Sequence, residues 1–307
     1  MNILGIEIGG TKLQLALGNE HGVIQHRHTL TVNPNSGAGG IREQITQALR
    51  ELRASRQIEA VGVGFGGPVD WRTGKICRSH QIEGWSDFDL ASWLREQSGA
   101  PVAVDNDANV AALGEAHRGA GVGGDPVFYV TLGSGVGGGL VVAGQIYHGA
   151  IPGEAEIGHV RLDRRGTTVE SRCSGWAVDA RIRELIQQQP QSQLARLVGR
   201  ETRGEARHLG AALAQGDPLA QQLLREISED LAFGLSHVVH LFHPQRLILG
   251  GGLAGLGEPL RLAVENALRG WVMEAFRSGV SVQLSQLGAD VVPVGALLLA
   301  VDAAKAG

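Results

Sequence analysis

Two stretches of this chain have the composition of loops that hold anions. Gly133-Ser134-Gly135-Val136-Gly137-Gly138 follows one apolar run, and Gly9-Gly10-Thr11-Lys12 follows another, with Glu7 two residues before the first glycine. Backbone N–H groups in a glycine-rich turn can converge on a phosphate because no side chain stands in the way, and the hydroxyls of Thr131 and Ser134 would add donors. A single such loop is equally well explained as a tight turn; two matched loops, each after a buried strand, point to phosphate. The first stretch also satisfies the dinucleotide fingerprint G-x-G-x-x-G. That fingerprint needs a helix after the loop, whereas Gly139-Leu140-Val141-Val142 continues as strand, so a hairpin loop is the better reading. The third chemical feature is Asp105-Asn106-Asp107, where carboxylates and an amide meet at the end of an apolar strand. A carboxylate there can cap a helix or take a proton, and the residue types alone leave both open.

The elements that must position these groups follow from periodicity. Ile3–Ile8 reads as a buried strand, 9–11 as a turn and 13–17 as a returning strand. Ile41, Ile45, Leu49 and Leu52 recur at helical spacing, predicting an amphipathic helix over 38–55 that covers a sheet. Ala60–Phe65 and 101–104 are further strands, and a helix opens at Asn106 with Asn and Asp at its start. The pattern then restarts: Val127–Leu132 is a strand, 133–139 a glycine loop and 140–142 a returning strand. Two strand-glycine-strand units about 120 residues apart predict two related lobes facing each other. Asp217-Pro218 has the form of a cap followed by a first-turn proline, opening a long helix toward His240. The strand 246–249, the triplet Gly250-Gly251-Gly252, a helix over 259–268 and an apolar helix over 295–304 complete the chain, with 187–193 a surface loop.

Length and composition bound the possibilities. With 307 residues the chain can bury two cores, and 43% apolar against 19% charged residues is a globular balance. Its 46 glycines fall largely in clusters beside apolar runs, as expected of turns that approach a ligand. The formal charge of −4, with lysine only at 12, 75 and 305, leaves no basic stripe for nucleic acid. Cys77 and Cys173 lie too far apart in sequence to suggest a disulfide framework, and a reducing compartment is the simpler reading. Met1 leads directly into a strand and no 18-residue apolar stretch follows, so the expectation is a cytoplasmic protein without a membrane partner.

In order along almost the whole chain, Glu7-Ile8-Gly9-Gly10-Thr11-Lys12, Gly64-Phe65-Gly66-Gly67-Pro68-Val69-Asp70, Gly84-Trp85, Asp105-Asn106-Asp107-Ala108-Asn109, Thr131 to Gly139, Glu156-Ile157-Gly158-His159 and Leu249-Gly250-Gly251-Gly252 resemble the ROK family of sugar kinases and repressors. The resemblance implies an α/β fold of two ribonuclease-H-like, actin-like ATPase domains with a cleft between them, divided as 1–115 plus 293–307 and 116–292. It implies ATP and Mg²⁺ as cofactors and usually a homodimer. It places Asp107 as the base that activates a sugar hydroxyl, most simply O6 of glucose. The sugar would be lined by Gln81, Asn106, Asp107, Glu156 and His159. Glu7, Gly9, Gly10, Thr11, Lys12, Thr131, Gly133, Ser134, Gly135, Gly137, Gly250, Gly251 and Gly252 would hold the nucleotide and its metal. Trp85 reads as loop packing.

The chain departs from the family pattern at three places. Glu7 stands where the family carries Asp, and one more methylene moves a carboxylate by about 1 Å, enough to change a metal-water contact. Of the family's zinc cluster only His159 and Cys173 remain, too few for a tetrahedral site, so no structural zinc is expected. The glutamate that follows the last cysteine in the family is missing after Cys173, with Glu170 as the substitute. These departures motivate a second reading, a catalytically weak or inactive sugar or nucleotide sensor. A repressor is disfavoured, because the family's repressors carry a helix-turn-helix ahead of the first glycine loop and only six residues precede Glu7.

Overall fold

The computed structural model describes residues 1–10, 12–54, 56–78, 82–153 and 155–306. In chain order the strands and helices are β1 (Ile3–Ile8), β2 (Lys12–Gly18), β3 (Ile24–Thr31), α1 (Gly37–Arg53), β4 (Ala60–Phe65), β5 (Val69–Asp70), β6 (Lys75–Ile76), α2 (Leu90–Ser98), β7 (Val102–Asn106), α3 (Asp107–Arg118), β8 (Val127–Leu132), β9 (Val136–Val142) and β10 (Gln145–Ile146), followed by α4 (Val169–Cys173), α5 (Gly175–Gln188), α6 (Gln193–Val198), α7 (Leu209–Ala214), α8 (Pro218–Phe242), β11 (Arg246–Gly250), α9 (Glu258–Trp271), β12 (Ser281–Leu284) and α10 (Val291–Ala306).

The first sheet has the order β3-β2-β1-β4-β7. β1, β2 and β3 form an antiparallel meander, while β4 and β7 run parallel to β1. β4 is buried at every position, as expected of a central strand covered on both faces. One face carries α1 and α2, whose Ile41, Ile45, Leu49, Leu90 and Leu94 close a core with Ile6, Leu15, Val63 and Phe65. Burying each such side chain contributes about 1.5–3 kcal/mol. The other face is covered by α10, through Leu297 and Ala300 against Ile3 and Ala60. That helix lies so close that a Cβ on Gly62 would stand 1.9 Å from the Ala296 carbonyl oxygen, so the glycine is required by the approach. Trp85 is 1% exposed and meets Phe65 edge-on at 5.5 Å, the loop packing its sequence context suggested.

The second sheet repeats the same plan, β10-β9-β8-β11-β12, with β8, β11 and β12 parallel. The long α8 opens as the Asp217-Pro218 pair predicts: Asp217 accepts from the Ala220 N–H at 2.8 Å and the proline occupies the first turn. The described chain divides into two compact units, Met1–Gly123 with Gly139–Ala155 and Gln286–Gly307, and Gly124–Gly138 with Glu156–Ser285. Gly139–Ala155 groups with the first unit because Gly139 packs directly on α3, where a Cβ would meet the Ala108 oxygen at 2.6 Å and the Ala112 methyl at 2.8 Å.

Several elements differ from the sequence reading. Strand β7 reaches Asn106, so the helix begins one residue later, at Asp107. The second glycine loop is shorter than 133–139, because β9 already starts at Val136 and takes Gly137 into strand. The expected loop over 187–193 is present but narrower, 189–192, with α5 running to Gln188 and α6 beginning at Gln193. The edge strand β3 has six exposed residues in eight and carries little apolar signal.

Candidate functional site

In the first unit the β7–α3 junction separates two tasks. The Asn106 side chain is the cap, its oxygen accepting from the Ala108 N–H at 2.8 Å and the Asn109 N–H at 3.3 Å, while its Nδ2 donates to the Gly67 carbonyl at 3.3 Å. Asp107 is thus the first helical residue, half-buried, and capping is done by its neighbour. A carboxylate in the first turn also sits favourably against the helix dipole, typically by about 0.3–1 kcal/mol. It lies beside Gly66: a Cβ there would make ordinary contacts, 3.4 Å from Asp107 Oδ2, 3.4 Å from the Ile8 oxygen and 3.6 Å from Gly9 Cα. Asp107 and the first glycine loop therefore flank the same glycine.

That loop is a tight turn in which Gly9 donates to the Lys12 carbonyl at 2.9 Å. Below it, Glu7 accepts from Gln14 Nε2 at 2.5 Å and lies 3.6 Å from Lys12 Nζ. Gln14 is 1% exposed and also reaches the Ala289 carbonyl at 3.3 Å, so the Glu7 carboxylate is held on a buried amide that is itself anchored. Thr11 and Gln81 lie outside the described residues.

The second unit carries the other loop and a cavity. Gly133 donates to the Gly135 oxygen at 3.0 Å, and its own carbonyl accepts from the Gly175 N–H at 2.7 Å. A Cβ on Gly175 would stand 2.9 Å from that carbonyl. The N–H of Val136 donates to Glu170 at 2.9 Å, and a Cβ on Gly135 would lie 2.6 Å from the same carboxylate. The loop is clasped from two sides, by the start of α5 and by α4. Leu132, Gly133, Ser134, Trp176, Asp179 and Arg207 are among the residues lining a cavity of ≈ 580 Å³, within the size range of small-ligand sites. The exposed Ser134 lines this cavity. Thr131 is half-buried at the end of β8, with its hydroxyl 3.8 Å from where a Gly133 Cβ would be.

The third glycine cluster divides by role. Gly250 would drive a Cβ to 2.1 Å from the Tyr129 hydroxyl, and Gly251, at φ +77°, to 2.5 Å from the Leu132 nitrogen; both allow β11 to pack on β8. Gly252 lines the cavity. Glu156 and His159 are exposed and lie 3.8 Å apart across one 3-10 turn, so His159 is not a satisfied core histidine. Cavity residues Gly175, Trp176, Asp179 and Arg207 were not singled out from sequence, and only the short Ser174-Gly175 pair carried a turn signal.

The sequence profile of the ROK family matches residues 3–303. This chain belongs to the ROK family. Its relatives include a glucokinase of Thermotoga maritima, 29% identical over 304 residues that span 96% of each chain. A ROK family glucokinase of Streptomyces griseus, solved with glucose and AMPPNP, is 31% identical, with a TM-score of 0.85 over 98% of this chain and 100% of that one. A ROK family transcriptional regulator, a homolog of the E. coli MLC protein, superposes with a TM-score of 0.87 at 21% identity, covering 99% of this chain and 78% of its own, a likeness of fold. The mixed α/β architecture is that of the actin-like, two-domain ATPases.

Against the ROK zinc pattern, Cys173 is fully buried and donates its thiol to the Ile227 carbonyl at 3.7 Å, and burial pushes that thiol's pKa well up. Its possible partner His159 is exposed. Among the described residues no group of three or more His, Cys, Asp or Glu is placed to hold a metal.

Proposed function

We propose that this chain is an ATP-dependent sugar kinase that transfers the γ-phosphoryl group to a hexose hydroxyl, with O6 of glucose the first acceptor to examine and Asp107 the base. The observation that carries this reading is the separation of cap from carboxylate at the β7–α3 junction. Asn106 satisfies the helix N–H groups, and Asp107, half-buried, faces Gly66 beside the first glycine loop. Phosphoryl transfer asks little covalent work of a protein; it needs an aligned hydroxyl, a group to receive its proton and compensation of phosphate charge. Asp107 takes the hydroxyl proton as the oxygen bonds to the γ-phosphorus, and the bond to the β-γ bridging oxygen breaks to leave ADP. Glucokinase relatives across the full chain support the same reading.

The sugar contacts proposed are Asn106, Asp107, Glu156 and His159, with Gln81. Glu170, engaged by the Val136 N–H, is assigned to holding the second loop rather than the sugar. The cavity beside Gly133 and Trp176 takes the nucleoside, where glycines leave space that a Cβ would fill. Glu7 is a hard oxygen donor anchored at the first loop, which suits Mg²⁺ held by one or two carboxylates and phosphate oxygens. Bound there with the triphosphate, the ion supplies positive charge against the transferring group. The reading extends to a cytoplasmic homodimer that takes no nucleic acid.

A coupled ADP-release assay across glucose, mannose, galactose and their N-acetylated amino sugars tests it. Saturable, sugar-dependent ADP release with at least one of them is expected. Silence across the panel with sugar binding retained would establish the sensor in its place.

A further inference from the structure

Behind Asn106 and Asp107 lies a buried polar cluster that neither the glycine loops nor the capping explains. Asp105 is 2% exposed, yet its carboxylate gathers three donors: the Asn106 N–H at 2.8 Å and Asn109 Nδ2 at 3.0 Å on one oxygen, His148 Nε2 at 2.5 Å on the other. The His148 ring stacks on the Trp71 indole, centroids 4.1 Å apart and planes within 14°, and the Arg72 guanidinium lies 5.3 Å from the Trp71 ring. Asn109 Nδ2 also reaches the Gly153 carbonyl at 3.2 Å, so the segment 148–153 is tied at one end to β7 and at the other to the first turn of α3.

These contacts form a closed circuit. Gly67 accepts from Asn106, the Asn106 N–H binds Asp105, Asp105 holds His148, and His148 rests on Trp71, four residues along the chain from Gly67. The peptide that carries Asn106 and Asp107 sits inside it. Two buried polar atoms on the circuit, Trp71 Nε1 and Asn109 Oδ1, have no hydrogen-bond partner among the described residues. A buried carboxylate that loses one of its donors reorients toward those that remain, which moves the N–H it holds.

We propose that His148, fixed by Asp105 and Trp71, is a positioning residue for the sugar-acceptor site, holding Asn106 and Asp107 in register through the Asp105 carboxylate; this rests on the kinase reading above. His148 is not among the residues lining the nucleotide cavity, so it is expected to act on sugar and turnover and not on nucleotide.

The test measures calorimetric binding of glucose, mannose and N-acetylglucosamine, and separately of ADP, by wild type, His148→Ala and His148→Gln, with turnover kinetics and melting temperature alongside. His148→Ala is expected to weaken sugar binding or lower kcat by about tenfold, the size of a lost hydrogen bond to a charged group, with ADP binding unchanged within about twofold. His148→Gln, which keeps an N–H within reach of Asp105, restores most of the loss. A merely structural role lowers the melting temperature and shifts sugar and ADP binding together, or leaves both unmoved, and either result overturns the proposal. So does failure of the glutamine variant to rescue. If wild type binds sugar without turnover the kinase reading fails, while the sugar-binding comparison still decides the role of His148. If wild type binds none of the three sugars, both fall.

Discussion

The two glycine loops are alike in sequence and different in support. The first is steadied from below by side chains: Glu7 on the buried amide of Gln14, beside Lys12, with Gly66 between the loop and Asp107. The second is steadied by backbone, through the Gly175 N–H on the Gly133 carbonyl, and by one carboxylate on the Val136 N–H. A loop held by side chains can be adjusted by one substitution, which is where this chain carries glutamate instead of the aspartate of its family. At the second loop the Gly175 clasp leaves little space, since a Cβ there would stand 2.9 Å from the Gly133 oxygen. If the first serves the chemistry and the second holds the nucleotide, as proposed, substitutions in the two regions should separate kcat from KM for ATP.

The sharpest break in that comparison is Asp107→Asn. It is expected to lower kcat by about 10²- to 10⁴-fold, with melting temperature close to wild type because Asn106 retains the cap; a variant keeping more than about a tenth of the rate removes Asp107 from the role. Next, Gly175→Ala pushes a methyl to 2.9 Å from the Gly133 oxygen and should raise KM for ATP by about tenfold while kcat at saturation moves far less. A parallel fall in kcat would erase the distinction between the loops. Glu7→Gln, which keeps size and removes charge, should lower kcat by several-fold, on the order of one charge-assisted contact, and raise the Mg²⁺ concentration needed for half-maximal rate. Unchanged Mg²⁺ dependence would detach Glu7 from the metal.

The smallest effect contrasts the two thiols. Burial raises the Cys173 pKa by disfavouring the charged thiolate, so Cys173 stays protonated and unreactive as pH rises through the alkaline range, whereas Cys77 is only half-buried. Intact-mass analysis after iodoacetamide at pH 8 should find one label per native chain and two after unfolding. Two labels on the native protein would show that α4 opens.

Much of this is legible in the amino-acid sequence. Apolar runs ending in glycine marked β1, β8 and β11, because a strand covered on both faces must be apolar throughout and a turn close to a ligand must lack side chains. Asp217-Pro218 marked α8 for an equally local reason. The Asn106-Asp107 pair announced a helix start but not which residue caps it, since that depends on where β7 ends. The Asp105–His148–Trp71 cluster left no trace, its members being 34 and 43 residues apart and joined only by the fold. Glu170 showed itself as an acidic residue near the family's sugar ligand, and only the distance to Val136 reveals a loop support. Edge strand β3 was hidden by its polarity, as edges usually are.

The central claim is that a carboxylate at the start of α3 and a nucleotide held at the second loop together move phosphate onto a sugar. Phosphorus NMR of the protein incubated with ATP, Mg²⁺ and the sugar selected by the assay reads this directly. The account predicts a sugar phosphomonoester resonance that grows one for one with ADP and disappears with Asp107→Asn; ADP accompanied by inorganic phosphate, or a phosphomonoester that persists in that variant, would contradict it.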